Sequence, residues 1–378
     1  MPPVGRRANR DDTLHALRVQ TKTEHERLDS VCAISNHPRT PNPIECPVSP
    51  EDPVLIEEIA RLIAASVEAS APPDGVYRRD AHPKHHGIVQ AWFTVDGAVP
   101  DALRHGLFAA PGSYRAWIRY SNGAPHVQAD SKADQRGMAV KLVDVPGQKL
   151  LDDQPAAQDF VLASAPRFFI RTMADYLAFT RYAVRPPAIR ALAFFFGWNP
   201  LRWRWYELFA LSSTLRKTSD LLTTRYWSQT PYRLGPHVVK YSAIPTTRGA
   251  ALSATASRNY LRENLAARLR TTDATFDFAV QLQTKPASMP IDDATVVWDE
   301  SEAPFQKVAT IRIPVQEFQS PAQMAYAEFV SYNPWHALPA HGPLGSVNGT
   351  RRVVYLAISS LRHGLNRTPQ VDPPLMTI

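Results

Sequence analysis

Apolar and polar positions alternate along four early stretches of the chain, His86–Val95, Tyr114–Tyr120, Gly137–Val143 and Asp159–Leu162, with Gly-, Pro- and Asp-rich turns between them. Such short runs, bounded by turn residues, read as β-strands. Ahead of them, Ser49-Pro50-Glu51-Asp52 has the signature of a helix start, with Ser49 as N-cap, Pro50 at the first position and acidic residues in the first turn. Leu55, Ile59, Leu62, Ile63 and Val67 would then form one apolar face. A segment rich in Trp, Phe, Leu and Arg, roughly Ala174–Leu222, reads as a helical insertion. Three more strand-like runs follow, Val238–Ser242, Thr275–Gln283 and Lys307–Pro314. Strands, then helices, then strands again predict an α+β chain built on a closed antiparallel barrel that carries a helical layer. Residues 1–48 are polar and marked by prolines, an arm that would wrap the domain or a partner. The boundary is drawn at residue 75: arm and first helix before it, a single core over 76–378 after it.

The C-terminal segment adds chemistry to this outline. Arg351 precedes Tyr355 by four residues and Arg362 follows it by seven. On a helix all three side chains share one face. A phenol has a pKa of about 10 and can ligate haem iron as an anion at neutral pH if a cation lies close by. Arg351 could supply that charge, and Arg362 could meet a haem propionate. The plainer reading is an amphipathic helix with Val353, Tyr355 and Leu356 in a core and its arginines in water.

Motifs elsewhere favour the first reading. Arg79-Asp80-Ala81-His82-Pro83-Lys84-His85-His86-Gly87 resembles the distal histidine segment of haem catalases, Arg-x-x-His-x-Lys-x-x-Gly. In the same order follow Arg119-Tyr120-Ser121-Asn122, the Asp-x-Arg-Gly-x-Ala-x-Lys pattern of Asp134–Lys141, the segment from Asp159 to Arg171, the Tyr226–Leu234 stretch and Val297-Trp298. The resemblance runs from about Arg79 to Arg362. It implies a catalase-like eight-stranded antiparallel barrel with haem b between the barrel, the helices and a C-terminal helix bearing the haem ligand. It implies that Tyr355 is the axial iron ligand, backed by Arg351, and that Arg79, Arg119 and Arg362 hold the propionates. His82 would act as acid and base on a peroxide, with Ser121 orienting its ring. Tyrosinate ligation in catalase is a known case of haem tuning by the axial ligand.

The chain also departs from the pattern. Ser164 stands where catalases place a peroxide-binding asparagine, and a hydroxyl is shorter with a single donor. His85-His86 replaces a Gly-rich stretch, and Ala81 a valine. These changes point away from fast hydrogen peroxide dismutation and toward a peroxidase, or an enzyme that rearranges an organic, fatty-acid type hydroperoxide, as in the allene oxide synthase branch. An alternative is a non-catalytic catalase-fold protein that binds haem or lipid. Another is a metal site at His82, His85 and His86, although Pro83 spoils helical geometry there. His105, His126, His336, His341 and His363 read as surface or satisfied core residues, and Asn333–His336 as a turn packing under the Tyr355 helix. Phe168, Phe169, Tyr176 and the Phe194–Trp198 cluster are candidates for pocket lining or for core.

Composition adds limits. The 378 residues include 44% hydrophobic positions, with no apolar run of membrane-spanning length, and carry a net charge of +7. That charge would attract fatty carboxylates, haem propionates or acidic lipids; the scattered arginines form no aromatic-interleaved stripe, so nucleic acid is not expected. Ala191–Trp198, flanked by arginines, is core or else a greasy patch at a substrate entrance or membrane surface, which leaves peripheral lipid contact open. Cys32 and Cys46 form no disulfide framework, and no secretory signal is recognisable, so a cytoplasmic protein is expected. The long arm and the resemblance suggest a homo-oligomer.

Overall fold

The computed structural model describes residues 52–69, 74–182, 187–196, 203–247 and 252–369. The expected arm, the Ser49 cap and both cysteines lie outside the described residues. All seven expected strands form, each within three residues of its expected ends: β1 (His85–Val95), β2 (Gly112–Asn122), β3 (Arg136–Leu142), β4 (Gln158–Ala163), β7 (His237–Pro245), β8 (Ala274–Leu282) and β9 (Gln306–Ile313). Two short strands, β5 (Tyr226–Trp227) and β6 (Tyr232–Leu234), were not anticipated. Strand order is β5-β4-β3-β2-β1-β9-β8-β7, and β5 pairs back to β7 to close an eight-stranded antiparallel barrel. β6 lies beside β5 on the same edge of β7.

Alternation decides what fills the barrel. Phe93 and Val95 from β1, Ile118 and Tyr120 from β2, Met138 and Val140 from β3 and Phe160 from β4 point inward, where they meet Tyr241, Phe276 and Phe278. The ring of Phe278 touches those of Phe93, Phe160 and Tyr241 at centroid distances of 5.1, 4.7 and 5.5 Å. His341 is drawn into this core as an acceptor for the Leu107 amide at 2.8 Å, with Tyr241 on its other nitrogen, and burial pushes its imidazole down to about 3.

Helices cover the outside. α1 (Asp52–Ala69) buries Ile56, Ile59, Ile63 and Val67 against Val354, Ile358 and Leu361 of the C-terminal helix α7 (Ser346–Asn366). The insertion is three helices, α2 (Met173–Thr180), α3 (Pro187–Phe195) and α4 (Trp205–Thr214). Two further helices, α5 (Tyr260–Leu269) and α6 (Pro321–Phe329), go beyond the expected pattern. α6 starts on Ser320, whose hydroxyl accepts the Gln323 amide at 3.3 Å, with Pro321 in its first turn. Its Ala327, with Val330 just beyond, sits on Ile88 and Trp117 of the outer barrel wall. Among the described residues no helix is long and apolar enough to cross a membrane.

Truncating the central ring, Phe278→Ala, is expected to lower the unfolding free energy by about 3–5 kcal/mol, as for other buried phenylalanines. Chemical denaturation of the variant beside the parent chain measures it; a change within experimental error would mean the barrel interior is not the main core.

Candidate functional site

The same alternation that fills the barrel turns a second set of side chains outward. Arg119 and Ser121 of β2, Gly137 and Ala139 of β3 and Val161 of β4 face a cavity. The opposite wall is one face of α7, formed by Val354, Tyr355, Ile358, Ser359 and Arg362. Residues Arg79–His82 and Ser331-Tyr332 complete the lining, and the whole encloses about 760 Å³ of atom-free space, part of it open to solvent.

His82 reaches this space from a left-handed backbone, φ 58°, a conformation that non-glycine residues adopt mostly where surrounding structure holds them. Its Nδ1 is hydrogen-bonded to Ser121 Oγ at 2.9 Å, which leaves Nε2 for the cavity. Burial, reinforced by the positive charges of Arg119, Arg79 and Arg351, pushes the imidazole down to about 4. The ring is neutral at pH 7, able to accept a proton. Gly137 makes room for the pair: a Cβ there would stand 2.6 Å from Ser121 Oγ and 2.7 Å from His82 Nδ1.

Three arginines gather at one edge of the cavity around the C-terminal end of α6. Arg119 Nε donates to Ala327 O at 2.7 Å, Arg79 Nη1 and Arg362 Nη1 donate to Glu328 O at 3.1 and 3.0 Å, and Arg79 Nη2 donates to Val330 O. The carbonyl end of a helix is negative and suits cations. Yet the charges remain close together in buried surroundings. Burial above all, and Arg79 next, hold Arg119 well below the ordinary guanidinium value; the same two causes push Arg362 down to about 9. Glu328 offsets part of this. A cluster of buried cations facing a cavity with spare N–H donors is a site for an anionic group, and two carboxylates would suit three guanidiniums. With a phenol on one wall and a neutral imidazole on another, the residues present fit a haem.

Not every expected site residue lines this space. Arg351 lies one helical turn before Tyr355, but its Nη1 donates to Thr230 Oγ1 and Asn348 Oδ1, both at 3.3 Å, and its guanidinium lies over the Phe168 ring. Ser164 stands outside the cavity lining; its hydroxyl accepts the Arg136 amide at 2.8 Å, so the strand edge, rather than a ligand, occupies it. Phe168, Phe169, Tyr176, Phe194 and Phe195 pack within the helical layer and not along the cavity, and Trp198 lies outside the described residues. His86 Nε2 is bonded to Asn122 Oδ1 at 2.8 Å, and among the described residues no group of three or more His, Cys, Asp and Glu could hold a metal ion. His336 is a satisfied core residue clamped between Asp153 and Asp159 at 3.0 and 2.7 Å. Trp335 donates from Nε1 to Asn348 O at 2.7 Å, so the 333–336 turn does pack under α7.

No sequence motif points to the end of α6, to Tyr332, or to Ser331 and Ser359, whose hydroxyls meet at 2.5 Å in the lining. The Ser320-Pro321 start signal was available for α6; nothing in the sequence marks where its carbonyls point.

No family model matches the chain. A catalase-related peroxidase of Mycolicibacterium paratuberculosis (strain ATCC BAA-968 / K-10) is 28% identical to it over 287 residues, 71% of this chain and 85% of that protein. Among solved structures, a bacterial catalase superposes with a TM-score of 0.57 at 16% identity, covering 90% of this chain and 67% of its own. Catalase A from Saccharomyces cerevisiae gives 0.58 at 16% identity, over 87% of this chain and 68% of that one, and a fungal catalase 0.57 at 16%, over 84% and 64%. The chain thus spans about two thirds of the length of these catalases and has their fold. The resemblance to the haem catalase family holds in sequence pattern and in fold.

Gly137→Ala should leave the barrel register unchanged and drive the His82 ring away from Ser121. A crystal structure of the variant reads this directly; an undisturbed 2.9 Å pair would show that the glycine is not what admits the ring.

Proposed function

We propose that this catalase-fold chain is a haem-dependent enzyme that metabolises peroxides, preferring an organic hydroperoxide to hydrogen peroxide. The observation that carries it is a single cavity bounded by a neutral His82 held by Ser121, by Tyr355 on the facing helix, and by three clustered arginines. Tyr355 would hold the haem iron through its phenolate oxygen, one helical turn from Arg351. Arg79, Arg119 and Arg362 would hold the two propionates with charge-assisted hydrogen bonds. Haem, when bound there, supplies an iron centre at which a peroxide O–O bond can be cleaved.

The chain's own part in that chemistry is proton handling and shape. His82 Nε2 takes the proton of the peroxide and returns it to the departing oxygen, base and then acid on one atom. Ser121 keeps the ring in place through Nδ1. Substrate preference rests on two features: no asparagine or glutamine is among the lining residues, and much of the lining is apolar, with Ala81, Ala139, Val161, Val354 and Ile358. A bare hydrogen peroxide molecule finds little beyond His82 to orient it, whereas an alkyl chain finds apolar surface.

Two measurements test this. Haem-loaded protein should show a high-spin ferric spectrum of phenolate type that Tyr355→Phe abolishes or shifts; an identical spectrum in the variant removes Tyr355 as ligand. Steady-state assays with a fatty-acid hydroperoxide, cumene hydroperoxide and hydrogen peroxide should give the larger kcat/KM with the organic substrates, by about tenfold or more, the range one apolar contact region can supply. Fast oxygen evolution from hydrogen peroxide would overturn the preference, and no turnover of any peroxide would overturn the enzyme.

A further inference from the structure

The helical layer between β4 and β5 presents apolar side chains outward that the peroxide site does not use. Ile189 and Leu192 of α3 are 48% and 61% exposed, and Trp205 and Phe209 of α4 are 57% and 63% exposed. The first two are three residues apart on one helix and the second two are four apart on the next, so each helix offers them on one face. The faces meet through rings: Phe196, just past α3, contacts Trp205 and Trp203 at 5.4 Å each. An apolar patch of this kind on a folded domain marks an interaction surface.

Charge says what kind. Residues 173–217 carry seven arginines and lysines and two acidic residues, Asp175 and Glu207; Arg204 is paired with Asp175 and Arg181 with Glu58, which leaves a net positive layer. Arg216 and Lys217, just past the end of α4, are exposed. Exposed tryptophan, phenylalanine and leucine beside an excess of arginine and lysine is the composition of segments that lie in the headgroup region of an anionic bilayer. A second copy of the chain fits less well, because a two-fold contact across this face would set the same cationic segment against itself.

The patch is also linked to the helix that carries Tyr355. Ring contacts of 4.9–6.5 Å run from Phe168 through Phe169, Phe179, Phe194 and Phe195 to Phe196, and so to Trp205. At its inner end Phe168 lies under the guanidinium of Arg351, on the helix that carries Tyr355. We propose that α3 and α4 dock this protein on anionic membrane surfaces, where a lipid-derived substrate is concentrated. The docking itself rests on the patch and its charge; the substrate clause rests on the peroxide reading above.

The test uses the full haem-loaded chain and vesicles of phosphatidylcholine with or without about one third phosphatidylglycerol. Co-sedimentation should be at least about tenfold stronger with the anionic vesicles and weaken with added salt. Two variants separate the contributions: Leu192→Gln with Phe209→Ser removes the apolar contacts, and Arg216→Glu with Lys217→Glu reverses the charge. Both should lose vesicle binding while keeping the circular dichroism of the parent. No binding to anionic vesicles at low salt overturns the proposal, as does binding that neither variant reduces. A change confined to the oligomeric state on size-exclusion chromatography also overturns it and assigns the patch to a second copy. Because vesicle binding is read without turnover, its failure is distinct from failure of the peroxide assays.

Discussion

Three guanidiniums, two of them buried and one half-buried, converge on one helix end and hold this structure in its working arrangement. Unpaired charge in a protein interior is costly, and here the first partners are the main-chain carbonyls that α6 cannot satisfy itself. Arg119 comes from the barrel wall, Arg79 from the segment leading to His82, and Arg362 from α7. The end of α6 is therefore the point at which three otherwise separate parts of the chain are tied. It can serve as that point because Ala327 and Val330 seat it on Ile88 and Trp117, so its carbonyls are fixed relative to the barrel. The spacing between barrel and α7 follows, and with it a cavity instead of a packed interface. Positive charge left over at its rim makes an anionic occupant favourable where a neutral one would gain little.

Behind the His82 wall a second polar cluster supplies rigidity. Lys84 Nζ meets Asp130 Oδ1 at 2.6 Å, Asp130 accepts the Leu261 amide, and Arg136 reaches Asn122 and the carbonyls of Asp130 and Lys132. Lys84, Asn122, Asp130, Arg136 and Leu261 are all buried. The arrangement explains why Arg136 and Gly137 stand together on β3. One locks the loop before β3 to the end of β2, and the other leaves space for the imidazole on the adjacent outer face. His82 can then hold a left-handed backbone because its neighbours on both sides are fixed.

The strands were legible because a two-residue period bounded by turn residues has one physical solution, and the barrel interior confirms which set points inward. β5 and β6 escaped notice since two or three residues are too few to show a period. α5 was missed for a different reason. Its Leu261, Leu265 and Leu269 carry an i, i+4 signal, but it sits between two strong strands and is buried on much of its circumference, so no polar face frames the pattern. At the site, Tyr355 and Arg362 fall on one helical face, as their spacing requires, and His82 and Ser121 meet. Ser164 shows the limit of motif alignment: a position can be matched in sequence while a neighbouring backbone amide takes its side chain. Nor does spacing alone reveal that Arg351 leans toward Thr230 and Asn348.

The barrel is closed by very little. A single residue pair joins β4 to β5, Ala163 with Trp227, and two pairs join β5 to β7, whereas β1 and β2 run alongside each other for most of their length. The entire helical layer, α2 to α4, is spliced into the chain at this narrow join. Lengthening, shortening or recomposing that layer would leave the register of the other seven strands as it is, since none of their ladders passes through it. A common catalytic frame can thus be fitted with different outer coverings, and the join is the place where one protein of this fold can acquire a habitat that another lacks.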